Sequence, residues 1–132
     1  MPFVSTTRLR LWSWHFFPGL IWYAQRSSRQ ARAAPGNLGV ELLREANNIF
    51  WTCSLWNDEA VMWAFMMSGA HRKAMPKLVE WCNEAALAHW QQDSAEPPSW
   101  HEVRRRMQAG GRRSKVRYPS EAQRRFEIPA PR

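Results

Sequence analysis

The stretch FWTCSLWNDEAVMWAFMMSGAHRKAMP, Phe50 to Pro76, decides the fold. Together with Ile49, its first residues are β-branched and aromatic, which favours a strand over Ile49 to Trp56. Alternate side chains leave a strand on opposite faces. Phe50, Thr52, Ser54 and Trp56 share one face; Ile49, Trp51, Cys53 and Leu55 share the other. Neither face carries a charge, so both are expected to be covered, one by helices and one by a second protein surface. Asn57 can end the strand and cap a helix through its side-chain oxygen. Asp58 and Glu59 suit the first turn, where the helix dipole favours negative charge. Val61, Met62, Phe65 and Met66 then fall at helical spacing. Ser68-Gly69 breaks that pattern, and Pro76 lies where a helix would kink or restart.

The preceding chain reads as partners for this stretch. Phe3 to Trp12 alternates as a strand, with Arg8 and Arg10 on one face as candidates for an acidic ligand group or for carboxylates across a dimer. Pro18 is a good first helical residue, and Leu20, Ile21, Ala24, Ser28 and Ala31 make a helical stripe that stops at Pro35-Gly36. Leu38 to Arg44 is a second strand. Asn47 and Asn48 tolerate positive φ and suit a tight hairpin into the central strand.

After the centre, Glu84 to Gln92 reads as a fourth strand. The order β-α-β-β-α-β predicts an α+β, ferredoxin-like domain over residues 1–96. Pro97-Pro98 ends it. Ser99 and Glu102 form a capping box that opens a helix, which Gly110-Gly111 closes. Residues 97–132 are thus a basic helix and a tail, free or strapped down by Val116, Tyr118, Phe126 and Ile128. A second copy is the expected cover for the far face of the sheet, giving a homodimer.

Charge and composition narrow the function classes. The net charge of +8 sits at one end: residues 100–132 hold ten basic and three acidic residues, and residues 1–99 hold nine and eight. Apolar runs are shorter than the roughly 18 residues of a membrane span. The opening MPFVSTTRLRLW lacks the order of a signal peptide, so a soluble, cytoplasmic chain is expected. Cys53 and Cys82, one placed in a strand and one in a helix, form no CxxC pair and read as buried thiols, not metal ligands. Nine tryptophans point to core and subunit contacts, with two or three available to line an apolar pocket.

The same central stretch resembles a family of small uncharacterised proteins in the dimeric α+β barrel group. The likeness rests on an aromatic strand ending in Trp56, then Asp58-Glu59, a helix with Met62 and Phe65, and Ser68-Gly69-Ala70-His71. FVSTTRLRLW and Pro35-Gly36 add to it, over about residues 3–93. The wider group holds antibiotic-biosynthesis monooxygenases, haem-degrading enzymes and spheroidene monooxygenases. The resemblance therefore implies a monooxygenase-like enzyme acting on a bulky apolar molecule, either haem-dependent or cofactor-free. The haem-degrading branch uses an Asn, a Trp and a His; this chain has Thr6 or Thr7, Phe65 and Met75 in those places, which departs from that mechanism.

The residues themselves nominate His71, beside an apolar helix face, as a haem ligand or general base, or else as a helix-capping or dimer-contact histidine. Trp56, Phe65, Met66 and His89 are candidates for a substrate pocket between sheet and helices, or for ordinary core. Two other readings stand beside the enzyme: a non-catalytic small-molecule-binding dimer, and nucleic-acid binding. The second would use Arg104, Arg105, Arg112, Arg113 and Lys115, which otherwise form a solvated basic surface.

Overall fold

The computed structural model describes residues 2–128, with Ala70 and His71 described in backbone only. Strands β1 (Phe3–Leu11), β2 (Asn37–Glu45), β3 (Ile49–Trp56), β4 (Cys82–Gln91) and β5 (Arg112–Arg113) form one antiparallel sheet in the order β2-β3-β1-β4-β5. Helix α1 (Phe17–Ala33) joins β1 to β2, and α2 (Glu59–Met66) and α3 (Gly69–Trp81) join β3 to β4. Helix α4 (Trp100–Gly110) and the short α5 (Glu121–Arg125) follow. This is the α+β, ferredoxin-like arrangement that the sequence predicts, with an added C-terminal helix and strap.

Local chemistry explains the junctions. The β2–β3 hairpin turns through Asn47 and Asn48 at φ of 66° and 62°, the conformation a two-residue hairpin needs. Gly36 leaves α1 at φ +84°, and a Cβ there would meet the Val61 side chain at 2.9 Å. Asp58, not Asn57, caps α2, its carboxylate accepting from the Val61 amide at 3.0 Å. Pro76 lies inside α3 and does not restart it. Ala74, Leu78 and Trp81 recur at helical spacing across the proline, so packing holds the helix together where propensity alone would break it. Cys82 opens β4 and is not helical.

The two faces of the sheet are covered differently. Helices α1 to α3 lie on the face of Phe3, Trp56 and Leu9, where two apolar clusters form at opposite ends. On the other face Val4, Trp51, Cys53, Leu55, Ala86 and Ala88 pack against Val103 and Met107 of α4 and against Ile128. This chain's own C-terminal part, and not a second copy, thus covers the face left open in the sequence reading.

Polar contacts fasten that C-terminal part. Arg8 Nη1 donates to Glu84 Oε1 at 2.7 Å, Glu84 Oε2 accepts from the Ser120 hydroxyl at 2.9 Å, and Arg10 reaches the same oxygen at 3.5 Å. The two arginines therefore pair within the chain. Gln123 behaves like one more strand residue on the β4 edge. Its Oε1 accepts from the Ala85 amide at 3.1 Å, and its Nε2 donates to the Ala85 and Ser114 carbonyls, both at 3.0 Å. Of the residues expected to pin the strap, Val116, Phe126 and Ile128 pack inward and Tyr118 stays exposed. No helix among the described residues is long and apolar enough to cross a membrane.

Candidate functional site

Between the two apolar clusters the helix face does not close. A cavity of about 130 Å³ lies there. Its floor is the middle of β1 and β3, where Ser5 pairs with Ser54 and Thr7 with Thr52 across the strands. Four short hydroxyl side chains thus form a square on an otherwise apolar sheet. Ser54 is engaged, its Oγ accepting from Trp56 Nε1 at 2.9 Å. The hydroxyls of Ser5, Thr7 and Thr52 bond no other described residue and face the space.

The roof explains why the space persists. Helix α1 presents Ala24, Ser27, Ser28 and Ala31 to the sheet, where larger aliphatic side chains would normally fill the gap. Met62, Phe65 and Met66 of α2 close one side, and Ala74 and Leu78 of α3 another. Left as an empty apolar hole, that volume would cost about 3 kcal/mol at roughly 24 cal/mol per Å³. Against a total stability of roughly 5–15 kcal/mol, that is a large sacrifice for a mere packing defect.

The nominated residues divide around this cavity. Phe65 and Met66 line it. Trp56 lies fully buried behind Phe65, the rings stacked at 5.1 Å between centroids, so it supports the wall from outside. His89 sits on β4 directly across from Ser5, its ring against Phe3 at 5.7 Å and Trp63 at 5.8 Å. Burial first, then the nearby Arg112 charge, lowers its pKa below the usual imidazole value, while Glu59 opposes them. The backbone of His71 is in the first turn of α3, and its side chain lies outside the described residues.

Sequence reasoning missed the hydroxyl floor. The signal was present as Ser and Thr at alternate positions of two strands facing Ala and Ser on α1, small residues on both sides of one interface. Both thiols are buried with pKa values pushed up to about 12 by that burial, which leaves them inert. Of the nine tryptophans, Trp12, Trp14, Trp22 and Trp63 are exposed, so the set is not one core.

Haem does not fit this cavity. An engineered core cavity of about 150 Å³ holds a single benzene ring, and a tetrapyrrole is several times larger. Tyr23, Met62 and Met66 are the lining side chains of a kind that can ligate haem iron.

The basic residues do not form one patch. Arg105 and Arg106 are bound to Glu102 at 2.7 and 2.8 Å, which holds that carboxyl down at a pKa of about 2. Arg104 donates to the Ile128 carbonyl at 2.8 Å. Arg112 and Arg113 lie apart from these, on β5, and Lys115 follows on the strap.

A family profile described as a domain of unknown function, DUF3291, matches residues 14–114. The chain belongs to this family. The DUF3291 match runs from α1 through β5, so it takes in both walls of the cavity and α4. No curated protein matches the chain.

Among solved structures, Rv0793 from Mycobacterium tuberculosis is similar at a TM-score of 0.65 and 13% identity, over 73% of this chain and 100% of that one. SnoaB, a cofactor-independent oxygenase from Streptomyces nogalater, is similar at 0.59 and 13%, over 70% and 94%. An antibiotic biosynthesis monooxygenase gives 0.61 and 9%, over 70% and 99%. At such identities the likeness shows a shared fold. The neighbours are matched almost whole and this DUF3291 chain only in part.

Proposed function

We propose that this chain is a monooxygenase-like enzyme that takes an aromatic, oxygen-bearing part of an apolar molecule into the cavity between sheet and helices. The carrying observation is the cavity itself: a square of short hydroxyls below, Met and Phe side chains above, and small residues on α1 that keep it open. A ring fits the apolar walls, and a ring-bound hydroxyl or carbonyl meets Ser5, Thr7 and Thr52. The name of SnoaB as a cofactor-independent oxygenase supports the reading at the level of fold.

In this reading the substrate supplies its own electrons to O2. An activated ring methylene becomes a carbonyl with one oxygen atom, and the other oxygen leaves as water with the two hydrogens. The walls exclude solvent and the hydroxyls orient the ring oxygen. A second copy, where it joins, meets a surface other than the sheet face that α4 covers.

A second reading rests on one specific observation: Tyr23 is the one titratable side chain among the described cavity-lining residues. A pocket with so little acid–base chemistry suits a binding module. Oxygen-electrode measurements on purified protein with hydroxylated cyclic aryl ketones that carry a ring methylene separate the two. Enzyme-dependent uptake of one O2 per carbonyl formed, lost in Ser28→Phe, is expected. Ligand binding with no oxygen uptake over the panel would leave the binding module.

A further inference from the structure

Strand β5 consists of two arginines. Arg112 and Arg113 pair with Leu87 and Ala86 at the edge of β4, and both side chains are exposed. They line a surface groove of about 470 Å³ together with Arg124, Arg125 and Phe126 at the end of α5. Two segments, eleven or more residues apart, thus bring four guanidinium groups to one concavity.

Compensation of these charges is incomplete. Arg125 is bound to Glu121 at 3.0 Å and to Glu127 at 3.8 Å. Arg113 Nη1 donates to the Arg124 carbonyl at 2.7 Å, a neutral partner. Among the described residues, Arg112, Arg113 and Arg124 have no carboxylate partner. Arg105 and Arg106, one helix away, share Glu102. Like charges gathered without counter-charge repel one another, and an anion relieves that repulsion.

Two backbone features hold the groove in shape. A Cβ on Gly111 would lie 2.5 Å from the Met107 carbonyl oxygen and 2.8 Å from that of Leu87, so only glycine seats β5 against β4. Phe126 adopts left-handed backbone, φ +56° and ψ 47°, a strained conformation for an aromatic residue. Phe126 lines the groove and also packs on the α4 cluster.

We infer that this groove binds the phosphate groups of a nucleotide, free or within a single strand. Guanidinium forks match phosphate oxygens two at a time. Phe126, lining the same groove, is the aromatic residue placed beside them for a base, and stacking on an aromatic side chain tolerates any base. The site is separate from the cavity and goes beyond the oxygenase reading.

The test is fluorescence anisotropy of a labelled short single-stranded oligonucleotide on the full chain, with ATP and inorganic phosphate as competitors. Three uncompensated arginines give a salt slope of about −2, so raising NaCl from about 50 to about 200 mM weakens binding about 20-fold. Arg112→Ala with Arg124→Ala should weaken binding at low salt at least about tenfold and bring the slope toward about −0.7. Arg124→Glu alone should act in the same direction, and Arg105→Ala should leave affinity unchanged. Circular dichroism checks that each variant is folded. Displacement by ATP at concentrations comparable in phosphate marks a free nucleotide as the ligand; binding of the strand with no effect of ATP marks the strand. Unchanged affinity in the arginine variants, or no binding of either probe at low salt, overturns the inference.

Discussion

Replacing Thr7 and Thr52 by valine removes two hydroxyls from the cavity floor and keeps the shape of the side chains. The two residues are directly paired across β1 and β3, and neither hydroxyl bonds another described residue. Folding therefore loses no protein hydrogen bond, and the double variant should be as stable as the parent or slightly more so. Ligand recognition should suffer selectively. A neutral hydrogen bond contributes about 0.5–1.5 kcal/mol, so losing two lowers affinity for a hydroxylated ring by about 5-fold to 150-fold. The same ring without its hydroxyl should bind the variant as well as, or better than, it binds the parent, because the floor is now apolar. Isothermal titration of both proteins with phenol and with benzene gives the four affinities needed. Equal weakening of both ligands, or no change in their ratio, would refute the hydroxyl floor as a recognition element.

Other expectations follow from the strap and from His89. Gln123→Ala strips the partner from the buried Ala85 amide, while the Ala85 carbonyl keeps the Ser114 amide as donor, and the orphaned amide should cost about 1–3 kcal/mol; urea unfolding measures it, with faster hydrogen exchange at the Ala85 amide. The folded pKa of His89 is lowered, so the unfolded chain binds the extra proton first as pH drops. The stabilisation held above about pH 6.5 should decline as pH falls through the lowered folded value, and His89→Phe should flatten that part of the stability–pH curve.

Much of the fold was legible because local chemistry and long-range packing agree. Ile49 to Trp56 could only be a covered strand, and Asn47-Asn48 could only be a tight turn. Where two residues had equal local merit, the sequence could not choose: Asn57 and Asp58 both cap helices, and the direction of the chain leaving β3 gives the role to Asp58. Pro76 misled because its local effect is outweighed by Leu78 and Trp81 holding α3 in place. Helix α4 was legible from its capping box, but nothing local says which surface Val103 and Met107 will meet. That information is spread over Val4, Trp51, Cys53 and Leu55, far away in sequence.

The cavity was hidden for a related reason. Ser5, Thr7, Thr52 and Ser54 are ordinary strand residues one at a time, and Ala24, Ser28 and Ala31 are ordinary helix residues. Only the register, Ser5 to Ser54 and Thr7 to Thr52, gathers the hydroxyls in one square beneath the small face of α1. Phe65 and Met66 were visible because large apolar side chains draw attention. The smaller residues, which make the space, did not.

The most direct measurement is a calorimetric titration of phenol, a single ring of the size this cavity holds, into the parent and into Ser28→Phe, whose added ring projects from α1 into the cavity. The account predicts saturable binding of one ligand per chain in the parent and none in the variant, with circular dichroism showing both folded. Binding that survives unchanged in Ser28→Phe would contradict the claim that this cavity is the functional site.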